Sequence, residues 1–133
     1  MVHRFVRIRN DSRGNAVIEF ALVLPILLLV LFGITEFGRA IMTKNILHTA
    51  SREGARLAAV SPVSDTLSVQ GRVIEILDAA RVDVKEITIV YNAATRSIQV
   101  TVTNDFQVLS AGVLESFIGV FELRGVTSMR YEG

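Results

Sequence analysis

The chain contains no cysteine. That excludes a disulfide framework, a cysteine-ligated zinc site and a thiol nucleophile, and it fits either side of a membrane. Histidine is scarce, with only His3 and His48. Neither has a second histidine or an acidic residue at metal-ligand spacing. No G-x-S-x-G elbow, Walker loop or dinucleotide fingerprint occurs, and no spacing of serine, histidine and aspartate singles out a triad. An enzyme is therefore not expected, nor a cofactor or a metal. An excess of one charge is missing too: 14 basic and 13 acidic residues leave a formal net charge of +1. That balance argues against a general nucleic-acid binder. Internal repeats and low-complexity tracts are also absent. Proline is limited to Pro25 and Pro62, so the stretch between Glu36 and Val60 holds none.

Apolar residues are abundant, at half of the 133. They concentrate in "RGNAVIEFALVLPILLLVLFGIT", Arg13 to Thr35, where an unbroken run extends from Asn15 to Ile34 apart from one full charge, Glu19. Roughly 20 residues at 1.5 Å each span the ~30 Å of a bilayer's hydrocarbon, so a transmembrane helix is expected over about residues 15–35. Pro25 should kink this helix or free a carbonyl within it, which membrane helices tolerate. Arg4, Arg7, Arg9 and Arg13 precede the run against a single Asp11. This predicts a cytoplasmic N-terminus and an exported remainder. Arg39, Lys44, Arg52 and Arg56 follow the run as a counterweight, but they are more dispersed and interleaved with Glu36 and Glu53. The length suits one domain with a modest core, of which about 70–80 residues remain once the helix is set aside.

Helical character should continue from Glu36 to Val60, with Ile41, Leu47, Ala50 and Leu57 toward a core and Lys44, Arg52, Glu53 and Arg56 toward solvent or partners. Ala50, Gly54 and Ala58 recur every fourth residue as a small-residue stripe that admits close approach of another backbone. Ser61-Pro62 ends the helix. After a polar linker, Val69, Val73, Ile76, Leu77 and Ala80 fall on one face of an amphipathic helix suited to covering a sheet. Alternation in "EITIVY" and "SIQVTVT", joined by the turn-compatible "NAATR", predicts an antiparallel hairpin. Phe106 to Phe121 reads as a loop with a short helical turn. "FELRGVTSMRYE" closes the chain as a third strand with a bulge expected at Gly125. The expected fold class is α+β: a long N-terminal transmembrane helix, then a small αβββ head with a three-stranded antiparallel sheet. The expected division is a basic leader at 1–14, a long helix at 15–60 and a small exported domain at 61–133.

A removable secretory signal fits poorly, because Gly38-Arg39-Ala40 would place a charge inside the cleavage site. A better site lies before the apolar run, after Gly14. The basic leader ending in Gly14, followed by Asn15-Ala16-Val17-Ile18-Glu19-Phe20 and an apolar helix, resembles a type IV prepilin signal. "RGNAVIEFALVLPILLLVLFGITEFGRAI" with "TASREGARLAA" further resembles the TadE family, minor pilins or pseudopilins of the tight-adherence apparatus that builds Flp-type pili. The resemblance covers roughly residues 12 to 60, and "VTSMRYE" is similar only weakly. It implies cutting between Gly14 and Asn15 by a prepilin peptidase, and a pilin-like helix that assembles with other pilins or pseudopilins, the membrane assembly platform and the lipid bilayer. It also implies a single pass through a bacterial inner membrane, with the C-terminal domain periplasmic or extracellular.

A carboxylate at a helix centre in a bilayer costs on the order of 2.5–3.5 kcal/mol on the insertion scale, but Glu19 is not central. Cutting after Gly14 would create a protonated amine on Asn15, four residues and about 6 Å of axial rise away. Residues i and i+4 share a face, so Glu19 could neutralise its own chain's amine or a neighbour's, and so set axial register between subunits. The plainer alternative is a carboxylate that snorkels to headgroups, and the helix dipole favours it in either case. Glu36 and Arg39, at i and i+3 by the far interface, suit pairing with each other, anchoring of the helix, or recognition of a partner pilin. Arg52, Glu53 and Arg56 suit a solvated face. The competing overall reading is an uncut, single-pass membrane protein whose exported domain binds a partner.

Overall fold

A computed structural model describes residues 12–108 and 120–131. Five elements follow in order: α1 (Ser12–Val60), α2 (Thr66–Ala79), β1 (Glu86–Asn92), β2 (Ser97–Phe106) and β3 (Phe121–Arg130). This is the expected α+β arrangement, a long apolar N-terminal helix followed by a short helix and a small antiparallel sheet. The chain divides into two compact units, one ending at Thr35 and the other beginning at Glu36.

The first unit is α1 up to Thr35. Among the described residues, α1 is the one helix long and apolar enough to cross a membrane. Its most apolar 18-residue window has a mean hydropathy of 2.8 and no buried residue. Helix assignment continues unbroken through Pro25. The missing proline N–H deprives the Ala21 carbonyl of its usual donor, a loss that α1 absorbs without ending. At the close of the unit, Thr35 Oγ1 donates to the Phe32 carbonyl at 2.8 Å.

The second unit contains the rest of α1, α2 and the sheet. The sheet has strand order β1-β2-β3, so β2 is central and supplies most of the strand contribution to the core. Ile98, Val100 and Val102 on β2 are fully buried with Leu47, Ala50, Ala55 and Ala58 of α1 and Val69, Val73 and Leu77 of α2. Period-2 alternation puts their registered neighbours on the same face: Ile87, Ile89 and Tyr91 of β1, and Gly125, Thr127 and Met129 of β3. The hairpin turn is built by Asn92, whose Oδ1 accepts from the backbone N–H groups of Ala94 and Thr95 at 3.0 and 3.1 Å. Arg96 completes it at φ 47°.

α2 begins where Asp65 caps it, Oδ1 accepting from Ser68 N–H at 3.4 Å, and such caps satisfy one of the orphan donors. It ends in a Schellman turn: Val82 N–H donates to Leu77 O at 2.9 Å and Arg81 N–H to Asp78 O at 3.0 Å. The residue at the left-handed position of that turn is Arg81, with φ 54°, where glycine is usual.

Several sequence expectations are corrected here. Gly125 forms no bulge, since the β2–β3 register runs without a break through Val102↔Gly125. The glycine is there because α1 lies directly on the strand: a Cβ would stand 2.5 Å from the Leu47 carbonyl oxygen and 2.7 Å from His48 N. Ile41 is 46% exposed rather than inward, because the inward face of α1 first closes on the sheet at Leu47. Ala80, expected on the inner face of α2, is exposed because the helix has already reached its cap there. β2 runs three residues beyond the expected Thr103, since Asn104, Asp105 and Phe106 pair with Leu123, Glu122 and Phe121. The helical turn expected between Phe106 and Phe121 falls mainly outside the described residues.

Candidate functional site

The N-terminal candidates all lie on α1 in the first unit. Gly14 is exposed, with nothing within 4 Å of where its Cβ would be. Asn15, Glu19, Phe20 and Pro25 are exposed as well. Asn15 and Glu19 are both helical, so their i, i+4 spacing sets them on one face, one turn apart. Glu19 is the only charged residue between Gly14 and Thr35.

The second unit begins with a salt bridge. Arg39 Nη1 donates to Glu36 Oε2 at 2.7 Å. The Arg39 guanidinium also lies over the Phe106 ring, 5.2 Å from its centroid. An aromatic face attracts the cation there, so Arg39 ties α1 to the end of β2. Further along α1, Arg56 pairs with Glu53 at 3.1 Å and Arg52 is exposed, a solvated face of small energetic weight.

The small-residue stripe is used inside the unit. Ala50, Gly54 and Ala58 are buried, and a Cβ on Gly54 would meet Val73 Cγ2 at 2.6 Å and Val100 Cγ1 at 3.3 Å. The elements that approach α1 here are therefore α2 and β2 of the same chain. Ser51, fully buried beside the stripe, donates to His48 O at 2.9 Å. With that proton committed, its 2.8 Å contact with Thr127 Oγ1 is one in which Thr127 donates.

One group was not legible in the sequence. Arg39 and Thr43 of α1, the 81–85 loop and residues 104–107 line a cavity of about 450 Å³. Lys85 bridges Asp105 at 2.8 Å and Glu122 at 3.3 Å, and Glu122 also holds Arg124 at 3.0 Å. Hydrogen bonds from Arg124 and Lys85 hold the Glu122 carboxyl below the usual range. Those to Asp105 and Glu122 push the Lys85 ammonium up. Asn104 donates through Nδ2 to the Asp83 carbonyl at 2.6 Å, while its Oδ1 is buried without a partner among the described residues. No regular spacing links residues 39, 81–85 and 104–107; the Arg39–Phe106, Asn104–Asp83 and Lys85–Asp105 contacts bring them together. Among the described residues no cluster of three or more histidine, cysteine, aspartate or glutamate side chains could hold a metal ion.

A long exposed apolar helix joined in sequence to a small α+β unit without a metal cluster among its described residues defines the class: a protein consistent with a single-pass membrane anchor. Comparison with known families finds a likeness over part of the chain. The TadE-like protein family matches residues 14–56, the segment from Gly14 to Arg56, so the chain is TadE-like over most of α1. This links it to tight-adherence (Flp) pilus systems and their components in general. No curated protein and no solved structure matches the chain.

Proposed function

We propose that the protein is a minor pilin or pseudopilin acting in assembly of Flp pili, cut after Gly14 by a prepilin peptidase and assembling through α1. The carrying observation is the coincidence at one helix end: the TadE-like match begins at Gly14, the apolar exposed face begins there, and the lone carboxylate stands one turn further on. An exposed helix of mean hydropathy 2.8 suits a bilayer before assembly and neighbouring apolar helices after it. A buried carboxylate in such a bundle needs a positive partner. The new amine of Asn15 would supply one. The N-terminus is cytoplasmic in this reading and the second unit is exported. In the filament or beside it, contacts with other subunits run along residues 15–35.

Intact mass of the membrane-extracted full chain, with and without a co-expressed prepilin peptidase, tests the processing step. A chain beginning at Asn15 only when the peptidase is present is the expected result. Retention of Arg4 to Gly14 in the peptidase's presence would leave the uncut anchored protein as the reading. Glu19→Val should still insert and still be cut, yet fail to support piliation. Normal piliation by that variant would remove the charge-pairing role.

A further inference from the structure

The end of the second unit that carries the Arg39–Phe106 contact combines three features that no other part of the described structure brings together. It has the cavity of about 450 Å³. It has charges of both signs around that cavity: Arg39, Arg81, Lys85, Asp83 and Asp105 line it, with Lys85 paired to Asp105. It also has large apolar side chains left in solvent at the adjoining end of β3: Val120 is 64% exposed and Phe121 53%. Phe121 pairs with Phe106, the residue beneath Arg39, so Phe121 and Val120 beside it belong to the end of the sheet that meets Arg39. Apolar and aromatic side chains beside basic groups are the pattern of a surface seated at a membrane interface.

Position along α1 agrees. Arg39 follows Thr35 by four helical residues, about 6 Å of axial rise. The polar region on each side of a bilayer is about 5–7 Å thick, so Arg39 emerges at headgroup depth if the apolar run spans the hydrocarbon. The side chain of Arg81 has no hydrogen-bond or ion-pair partner among the described residues, and its backbone sits in a left-handed conformation at φ 54°, which a non-glycine residue disfavours.

We propose that this cavity binds the headgroup of a phospholipid in the leaflet from which α1 emerges. The lipid phosphate is held by the guanidinium groups of Arg39 and Arg81, which bind phosphate oxygens through paired N–H donors. The headgroup's own donor, an ammonium or a hydroxyl, faces Asp83, Asp105 and the unpartnered Oδ1 of Asn104. Val120 and Phe121 lie against the lipid around it. Headgroups that carry N–H or O–H donors are favoured over choline, whose quaternary nitrogen has none. The proposal rests on the reading of α1 as a membrane anchor and is independent of processing at Gly14.

The test uses the full chain in nanodiscs made from equal parts of phosphatidylcholine, phosphatidylethanolamine and phosphatidylglycerol, with native mass spectrometry of the chain released from them. About one retained phospholipid per chain is expected, enriched in ethanolamine or glycerol headgroups by on the order of tenfold over choline, a difference equivalent to one decade in affinity. Arg81→Gly should abolish the enrichment while holding or raising the melting temperature, because glycine suits the left-handed position. Arg39→Gln should reduce it similarly. Retention that matches the bulk lipid composition, or that survives Arg81→Gly unchanged, overturns the proposal. Inorganic phosphate binding to the lipid-free chain in detergent, with the same dependence on Arg81 and the same strength as the lipid, would reassign the site to free phosphate and overturn it too. Failure to co-elute with nanodiscs overturns the anchor reading and this proposal together. Co-elution without selective lipid overturns this proposal alone.

Discussion

Replacing Gly125 by alanine tests how tightly α1 is pressed onto the sheet. The new Cβ would lie 2.5 Å from the carbonyl oxygen of Leu47 and 2.7 Å from the nitrogen of His48, whereas ordinary contacts need at least about 3.4 Å of separation between such atoms. Both obstacles are backbone, so no rotamer change relieves them. Either α1 lifts from β3 by nearly 1 Å or the strand bends away, and Leu47, Ile98 and Val102 lose close contact. Overpacking in a filled core costs roughly 1–3 kcal/mol, and a backbone obstacle puts this site at the upper end. Loss of glycine's freedom in the unfolded chain returns about 0.4–1 kcal/mol. The net loss is then about 2 kcal/mol, or about 8–16 °C in Tm for a domain of this size. Circular-dichroism melting of the full chain in micelles measures it. Gly38→Ala is the internal control, because nothing lies within 4 Å of that Cβ and alanine is the better helix former. A Gly125→Ala protein melting within about 2 °C of wild type would refute the reasoning.

Other consequences can be checked with the same melting assay. Gly54→Ala should destabilise by less than Gly125→Ala, because its nearest obstacle is the Val73 side chain and alanine gains about 1 kcal/mol of helix propensity; an equal or larger loss would contradict this. Ser51→Ala removes the acceptor for Thr127 and should cost about 1 kcal/mol, or roughly 4–8 °C, with Thr127→Val adding little on top of it. The lowered Glu122 carboxyl contributes stability that is present above its ordinary pKa of 4.5 and is lost as pH falls through the lower folded value. Glu122→Gln should therefore flatten the acid side of the Tm–pH curve below pH 4.5. The effect is small because the pair is solvent-screened, and an unchanged acid limb would show that the network contributes nothing.

The sequence alone determined the elements whose cause is local. A twenty-residue run that is apolar apart from Asn15 and Glu19 can only be satisfied as a helix in lipid or against other apolar helices, and hydrocarbon forces the backbone to bond within its own segment. The helix after the linker and the hairpin were legible for a similar reason, since a period of 3.6 or 2 is written in the chain itself. So was the TadE-like character of residues 14–56, which rests on a contiguous stretch. What only the tertiary structure decided are features made by residues far apart in the chain. Gly125 reads as a bulge until the backbone of Leu47 is set against it. The Ala50–Gly54–Ala58 stripe signals close approach, but its neighbours turn out to be Val73 and Val100 of the same chain, because α2 and β2 fold back onto α1. The cavity beside Arg39 exists because β2 extends to Phe106, pairs with Phe121 and brings the 81–85 loop alongside through Asn104. Local periodicity fixes which face an element hides, whereas the backbone that covers that face is set by packing between segments the sequence does not connect.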